Sequence, residues 1–158
     1  MMQKIYPCLW FDDNAEEAVN FYLSVFKNAS IKSIARYGKE SRGKEGSVMV
    51  INFTLEGQQF MALNGGPYFT FTPAISLFVN VGSQEELDSL WNKLSAVPEA
   101  EQCGWLKDKY GLSWQIVPTI LGELMQAGDP EAVSRVTQAM LDMKKLDIAA
   151  LQRAYQGT

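Results

Sequence analysis

The 158-residue chain contains no histidine. That absence removes Ser-His-Asp and Cys-His catalysis within the chain. It also removes every histidine-containing zinc site. Cysteine is scarce: Cys8 and Cys103 lack metal-motif spacing, and two thiols cannot complete a cysteine-only site. Any acid–base chemistry falls to carboxylates, lysine, tyrosine, cysteine or water. Positive charge is not in excess either, with 14 Lys and Arg against 18 Asp and Glu. The net charge of −4 argues against nucleic acid and anionic membranes as partners. No apolar run nears the roughly 18 residues of a membrane span. The start, "MMQKIYPCLW", lacks a signal-peptide pattern, so a cytoplasmic location with reduced thiols is expected.

What is present suits a soluble α+β protein. A chain of this length buries roughly 68–70% of its unfolded surface and needs no disulfide or metal staple. The order of elements reads as one unit used twice. Residues 3–11 form a first strand, and "DDNAEEAVNFYLSVF" a helix in which Asn14 and Glu17 make a capping-box pattern. Residues 30–37 and 47–55 are strands flanking a polar, glycine-rich loop. If Glu56-Gly57 is a two-residue turn into "QQFMALN", Leu55 opposes Gln58 and Phe53 opposes Phe60.

After the linker "GGPYFTFTP" the order repeats. Residues 74–81 are a strand, and "SQEELDSLWNKL" a helix with Ser83 and Glu86 as its capping box. "EAEQCGW", "LKDKY" and "LSWQIVP" are three shorter strands. Two βαβββ modules, about 1–66 and 74–118, thus form a single domain over 1–118. Residues 119–158 are a helical extension packing on the domain or on a partner subunit. Its helices are "TILGELMQA", one capped by Asp129 with Pro130 at its first position, and one capped by Asp147.

The doubled unit resembles the vicinal oxygen chelate superfamily of glyoxalases, extradiol dioxygenases and bleomycin-resistance proteins. The phrases "YPCLWFDDNAEEAVNFY", "FMALNGGPYFTFTPAISLFV", "EELDSLWNKLS", "EQCGWLKDKYGLSWQIVP" and "MLDMKKLDIAALQRA" are similar to its PhnB-like branch. That branch also carries the description 3-demethylubiquinone-9 3-methyltransferase. The resemblance implies a glyoxalase/bleomycin-resistance-like pair of half-barrels and a homodimer. It implies metal-ligand positions at Pro7, at Ala62 or Asn64, at Ala74 and at Gln115. Proline and alanine side chains cannot ligate, and neutral amides are weak ligands, so no metal and no cofactor are expected.

The same parity turns Leu9, Phe11, Phe53, Phe60, Ser76, Phe78, Ser113 and Gln115 toward a concave space, with Asn64 beside them. Such a set suits a mostly apolar pocket with a few polar groups for a small-molecule ligand. Equally, Phe53, Phe60 and Phe78 fill the space as ordinary core. An inward Gln115 needs hydrogen-bond partners, which Asn64 or Ser76 can supply. Asp108, between Lys107 and Lys109, reads as part of a solvated turn. The four tryptophans and both cysteines read as core. The competing functions are a metal-free ligand-binding dimer, an enzyme of the superfamily, and an interaction protein with a filled barrel.

Overall fold

The computed structural model describes residues 2–158. The chain falls into two compact units, Met1–Phe71 and Thr72–Thr158. The first runs β1 (Cys8–Phe11), α1 (Ala15–Val25), β2 (Ala29–Arg36), β3 (Val48–Leu55) and β4 (Gln58–Asn64). Its sheet has the order β1-β4-β3-β2, with β1 parallel to β4 and the other pairs antiparallel. The hairpin between β3 and β4 has the expected register, Leu55 opposite Gln58 and Phe53 opposite Phe60. Glu56 and Gly57 both take positive φ, 47° and 83°, as a two-residue turn of this hand requires.

The first strand is shorter than residues 3–11. Pro7 has no N–H for the ladder, and only its carbonyl is used, accepting from Met61 N at 2.9 Å. Upstream, the Gln3 side chain replaces strand pairing: its Oε1 accepts from Gln59 N at 2.9 Å. Helix α1 also starts differently from its capping-box pattern. Asn14 makes no side-chain cap. Asn64, at the end of β4, accepts from Ala15 N at 2.8 Å instead, and its Nδ2 donates to Val48 O at 3.1 Å. One strand residue thereby caps the helix and ties it to β3.

The second unit runs β5 (Ser76–Val81), α2 (Gln84–Leu94), a 3-10 turn (Pro98–Ala100), β6 (Trp105–Lys107) and β7 (Ser113–Pro118). Helices α3 (Thr119–Gln126), α4 (Pro130–Leu141) and α5 (Ile148–Gln156) follow. The sheet order is β5-β7-β6, with β5 parallel to β7. Here the expected caps are present: Ser83 Oγ accepts from Glu86 N, Asp129 from Glu131 N and Asp147 from Ala150 N.

The strand expected in "EAEQCGW" is reduced to the 3-10 turn and a single bridge, Gln102 to Trp105. The reason lies in the tail. Cys103 N and Gly104 N donate to Met143 O and Lys144 O, each at 2.8 Å, so their donors serve the α4–α5 connection. Positive φ at Cys103 (50°) and Gly104 (85°) turns both amides toward it. A Cβ on Gly104 would lie 3.1 Å from Leu146 and 3.3 Å from the Ile116 carbonyl. Gln84 closes the junction, donating to Leu146 O at 3.1 Å and accepting from Ile148 N at 2.8 Å. Arg135 of α4 donates to Ala154 O and Tyr155 O, satisfying carbonyls at the end of α5. Leu146, Leu151 and Val136 are fully buried.

Candidate functional site

Each sheet has one face covered by its helix and one face opposite. In the first unit the covered face carries Leu9, Phe11, Ile51, Phe53, Phe60 and Ala62, all buried. Asn64 shares their parity and reaches the start of α1, which fixes that face as the helix side. Phe53 and Phe60 stack with centroids 5.4 Å apart. Leu9, Phe11, Phe53 and Phe60 are therefore packed beneath α1, a reversal of the expected inward parity. Asn64 turns the same way, with both ends of its amide engaged. The opposite face carries Cys8, Trp10, Asn52 and Met61, exposed or half-buried.

In the second unit Trp114 and Ile116 are buried on the α2 side, with Leu106 beside Trp114. Ser76, Phe78, Ser113 and Gln115 share the other face, because Ser76 pairs with Ser113 and Phe78 with Gln115. Ser113 is buried, Ser76 and Gln115 are half-buried, and Phe78 is 55% exposed. Gln115 Nε2 donates to Ser76 Oγ at 2.9 Å. Its carbonyl oxygen remains as an acceptor.

Beside Gln115 lies a cleft of about 330 Å³. Its floor is the open face of the sheet: Phe78 and Asn80 of β5, Trp105 of β6, Gln115 and Val117 of β7. Its wall is Cys103 with Thr119, Leu121 and Gly122 of α3 and Met140 of α4. Among the described residues Cys103 is the only ionisable group of the lining, which holds no Asp, Glu, Lys or Arg side chain. Strand parity alone marks Asn80, Trp105 and Val117 as companions of Phe78 and Gln115. Nothing in the pattern of the tail points to Leu121 or Met140.

Asp108 is not in a solvated turn. It is 1% exposed and accepts from Tyr110 N (2.8 Å), Leu112 N (3.1 Å) and Trp114 Nε1 (2.9 Å). It holds the β6–β7 turn and fixes Trp114, which sets the facing of Gln115 one residue on. Trp91 and Trp114 are core, whereas Trp10 and Trp105 are half-buried on the faces opposite α1 and α2. Cys8 is exposed rather than core, and partial cover of its sulfur pushes the thiol pKa up, which disfavours the nucleophilic thiolate.

The implied metal positions do not form a donor set. Pro7 and Ala74 are exposed and without donor atoms, Ala62 is buried, and the Asn64 amide is already bonded at both ends. Among the described residues no cluster of three His, Cys, Asp or Glu side chains could hold a metal. The glycine pair of "LNGGPY" is covered by an aromatic side chain. The Trp10 indole lies on it, 2.3 Å from where a Gly65 Cβ would sit, and donates to Gly66 O at 2.9 Å.

A parallel first pair and antiparallel partners, order β1-β4-β3-β2, recur in reduced form as β5-β7-β6. This is the glyoxalase/bleomycin-resistance-like fold of the vicinal oxygen chelate superfamily. Within it the chain belongs to the PhnB-like family described as 3-demethylubiquinone-9 3-methyltransferase, whose pattern matches residues 3–117. The PhnB protein of Bacillus cereus is 43% identical, with 74% of this chain covering 100% of that one at a TM-score of 0.64. Protein PA1353 of Pseudomonas aeruginosa is 20% identical over 74% of this chain and 98% of its own, TM-score 0.58, a likeness of fold. A glyoxylase/bleomycin resistance protein/dioxygenase domain from Frankia is 15% identical over 75% and 92%, TM-score 0.48. No curated protein sequence matches the chain. Among the described residues no helix is long and apolar enough to cross a membrane.

Proposed function

We propose that the protein is a metal-free small-molecule-binding member of its family, and that the ligand sits in the cleft around Gln115. One observation carries this reading: an uncharged, aromatic-floored cleft whose polar centre is a half-buried amide with a free acceptor. Its volume is at the lower end of the roughly 300–1,000 Å³ of ligand pockets. Thermal-shift screening of a metabolite library should yield a saturable stabiliser. Phe78→Ala and Gln115→Ala should each weaken it. Hits indifferent to both substitutions would sink the assignment.

The family description names a methyltransferase, which requires adenosylmethionine. The packing of Trp10 on Gly65 speaks against a cofactor loop there. Titration calorimetry with adenosylmethionine should give no heat of binding; a saturable heat would favour the methyltransferase over the binding protein.

The reading includes a cytoplasmic homodimer without nucleic-acid partners. Trp10 and Met61 are left half-exposed on the first sheet, and Ile75 and Phe78 are exposed on the second unit. Apolar surface of this kind is usually covered by association. Light scattering should return twice the mass of the 17.7 kDa chain.

A further inference from the structure

Part of the cleft wall comes from beyond the family match, which ends at residue 117. Within that wall Gly122 is the odd residue. It lies inside the eight-residue helix α3, where glycine is less favourable than alanine. The usual reasons for glycine are missing. Its φ is not positive, and a Cβ built on it meets no atom within 4 Å. Gly104 differs on both counts, with φ of +85° and Leu146 at 3.1 Å. Gly122 lines the cleft, is itself exposed, and leaves open space where a side chain would begin.

The chemistry of the lining narrows the occupant. A charged ligand would lose water with no opposite charge to meet it. Phe78, Trp105, Leu121 and Met140 favour apolar or aromatic surface. Gln115 gives one N–H of its Nε2 to Ser76, and its carbonyl is left as an acceptor for a ligand donor. Resting on the cleft reading above, we propose that the site takes a neutral, largely aromatic molecule presenting one N–H or O–H to Gln115, and that Gly122 sets how large it can be.

N-phenyl-1-naphthylamine fits this description: neutral, aromatic, one N–H, and fluorescent when it leaves water. Its anionic analogue 1-anilinonaphthalene-8-sulfonate is the control. The neutral dye should bind saturably and more tightly than the sulfonate. Gly122→Leu should weaken it at least about tenfold by overfilling the cleft, and Gly122→Ala by no more than about threefold. Both variants should melt no lower than the parent, since each replaces a helical glycine, which separates lost binding from lost fold. Equal binding to Gly122→Leu overturns the size limit, and preference for the sulfonate overturns the ligand class. In either case the cleft reading stands if Phe78→Ala weakens binding. No binding of either dye overturns the ligand class and removes support from the cleft reading, which the metabolite screen then decides alone.

Discussion

The two units repeat a strand order but differ at the edge and at the open face. The first completes four strands, and its helix is capped from a distance by Asn64. The second stops at three, caps its helix locally with Ser83, and gives its next backbone donors to the tail. The lesson is that the missing strand and the cleft have one cause. The segment that takes up the Cys103 and Gly104 amides belongs to the same tail that walls the open face with Leu121, Gly122 and Met140.

The comparison breaks hardest at Asp108. Replacing it with alanine leaves Tyr110 N, Leu112 N and the Trp114 indole without their acceptor, so roughly 3 kcal/mol or more of stability should be lost. Urea unfolding followed by tryptophan fluorescence measures it. Gly104→Ala comes next. Forcing a side chain into positive φ against Leu146 should cost about 2 kcal/mol. Hydrogen exchange should show the Cys103 amide, bonded to Met143, losing protection before β7 does.

The capping difference is a milder test. Asn64→Ala should cost about 1–2 kcal/mol and Ser83→Ala about 1, whereas Asn14→Ala should be nearly silent. The smallest effect is electrostatic. Hydrogen bonds from Lys145, then Gln84, hold the Asp88 carboxyl below its ordinary pKa. A lowered folded pKa stabilises fully above the ordinary carboxylate value and is lost as pH falls through the folded one. Asp88→Asn should therefore lower the melting temperature slightly at neutral pH and leave it unchanged in strong acid. The pair is solvent-exposed, so salt should shrink the difference.

Much of the fold is legible in the sequence because its signals are local. Glu56-Gly57 dictates the hairpin and its register, and Ser83, Asp129 and Asp147 mark helix starts. What is not legible depends on partners far along the chain. Asn14 looks like a cap, but the competitor is fifty residues away. Alternation sorts strand residues into two sets without saying which set the helix covers. In the second unit, Trp114 and Ile116 against Ser113 and Gln115 leave little ambiguity. In the first, the parity set by the implied ligand position at Pro7 assigns the wrong set to the open face. The sharper signal is that the all-apolar set, Leu9, Phe11, Phe53 and Phe60, belongs under a helix. The mixed set with Cys8, Asn52 and Gln59 belongs opposite. The tail's share of the cleft carries no periodic signal, since it rests on how α3 and α4 dock.

The seven methionines offer the most direct test, because Met140 lines the cleft while Met61 lies on the first unit's open face. In protein labelled with 13C at the methionine methyls, and with the Met140 signal assigned from Met140→Leu, N-phenyl-1-naphthylamine should be titrated in. A saturable shift of the Met140 methyl, with the Met61 methyl unmoved, is the expected result. A shift of Met61 without Met140 would contradict a ligand site in the cleft around Gln115.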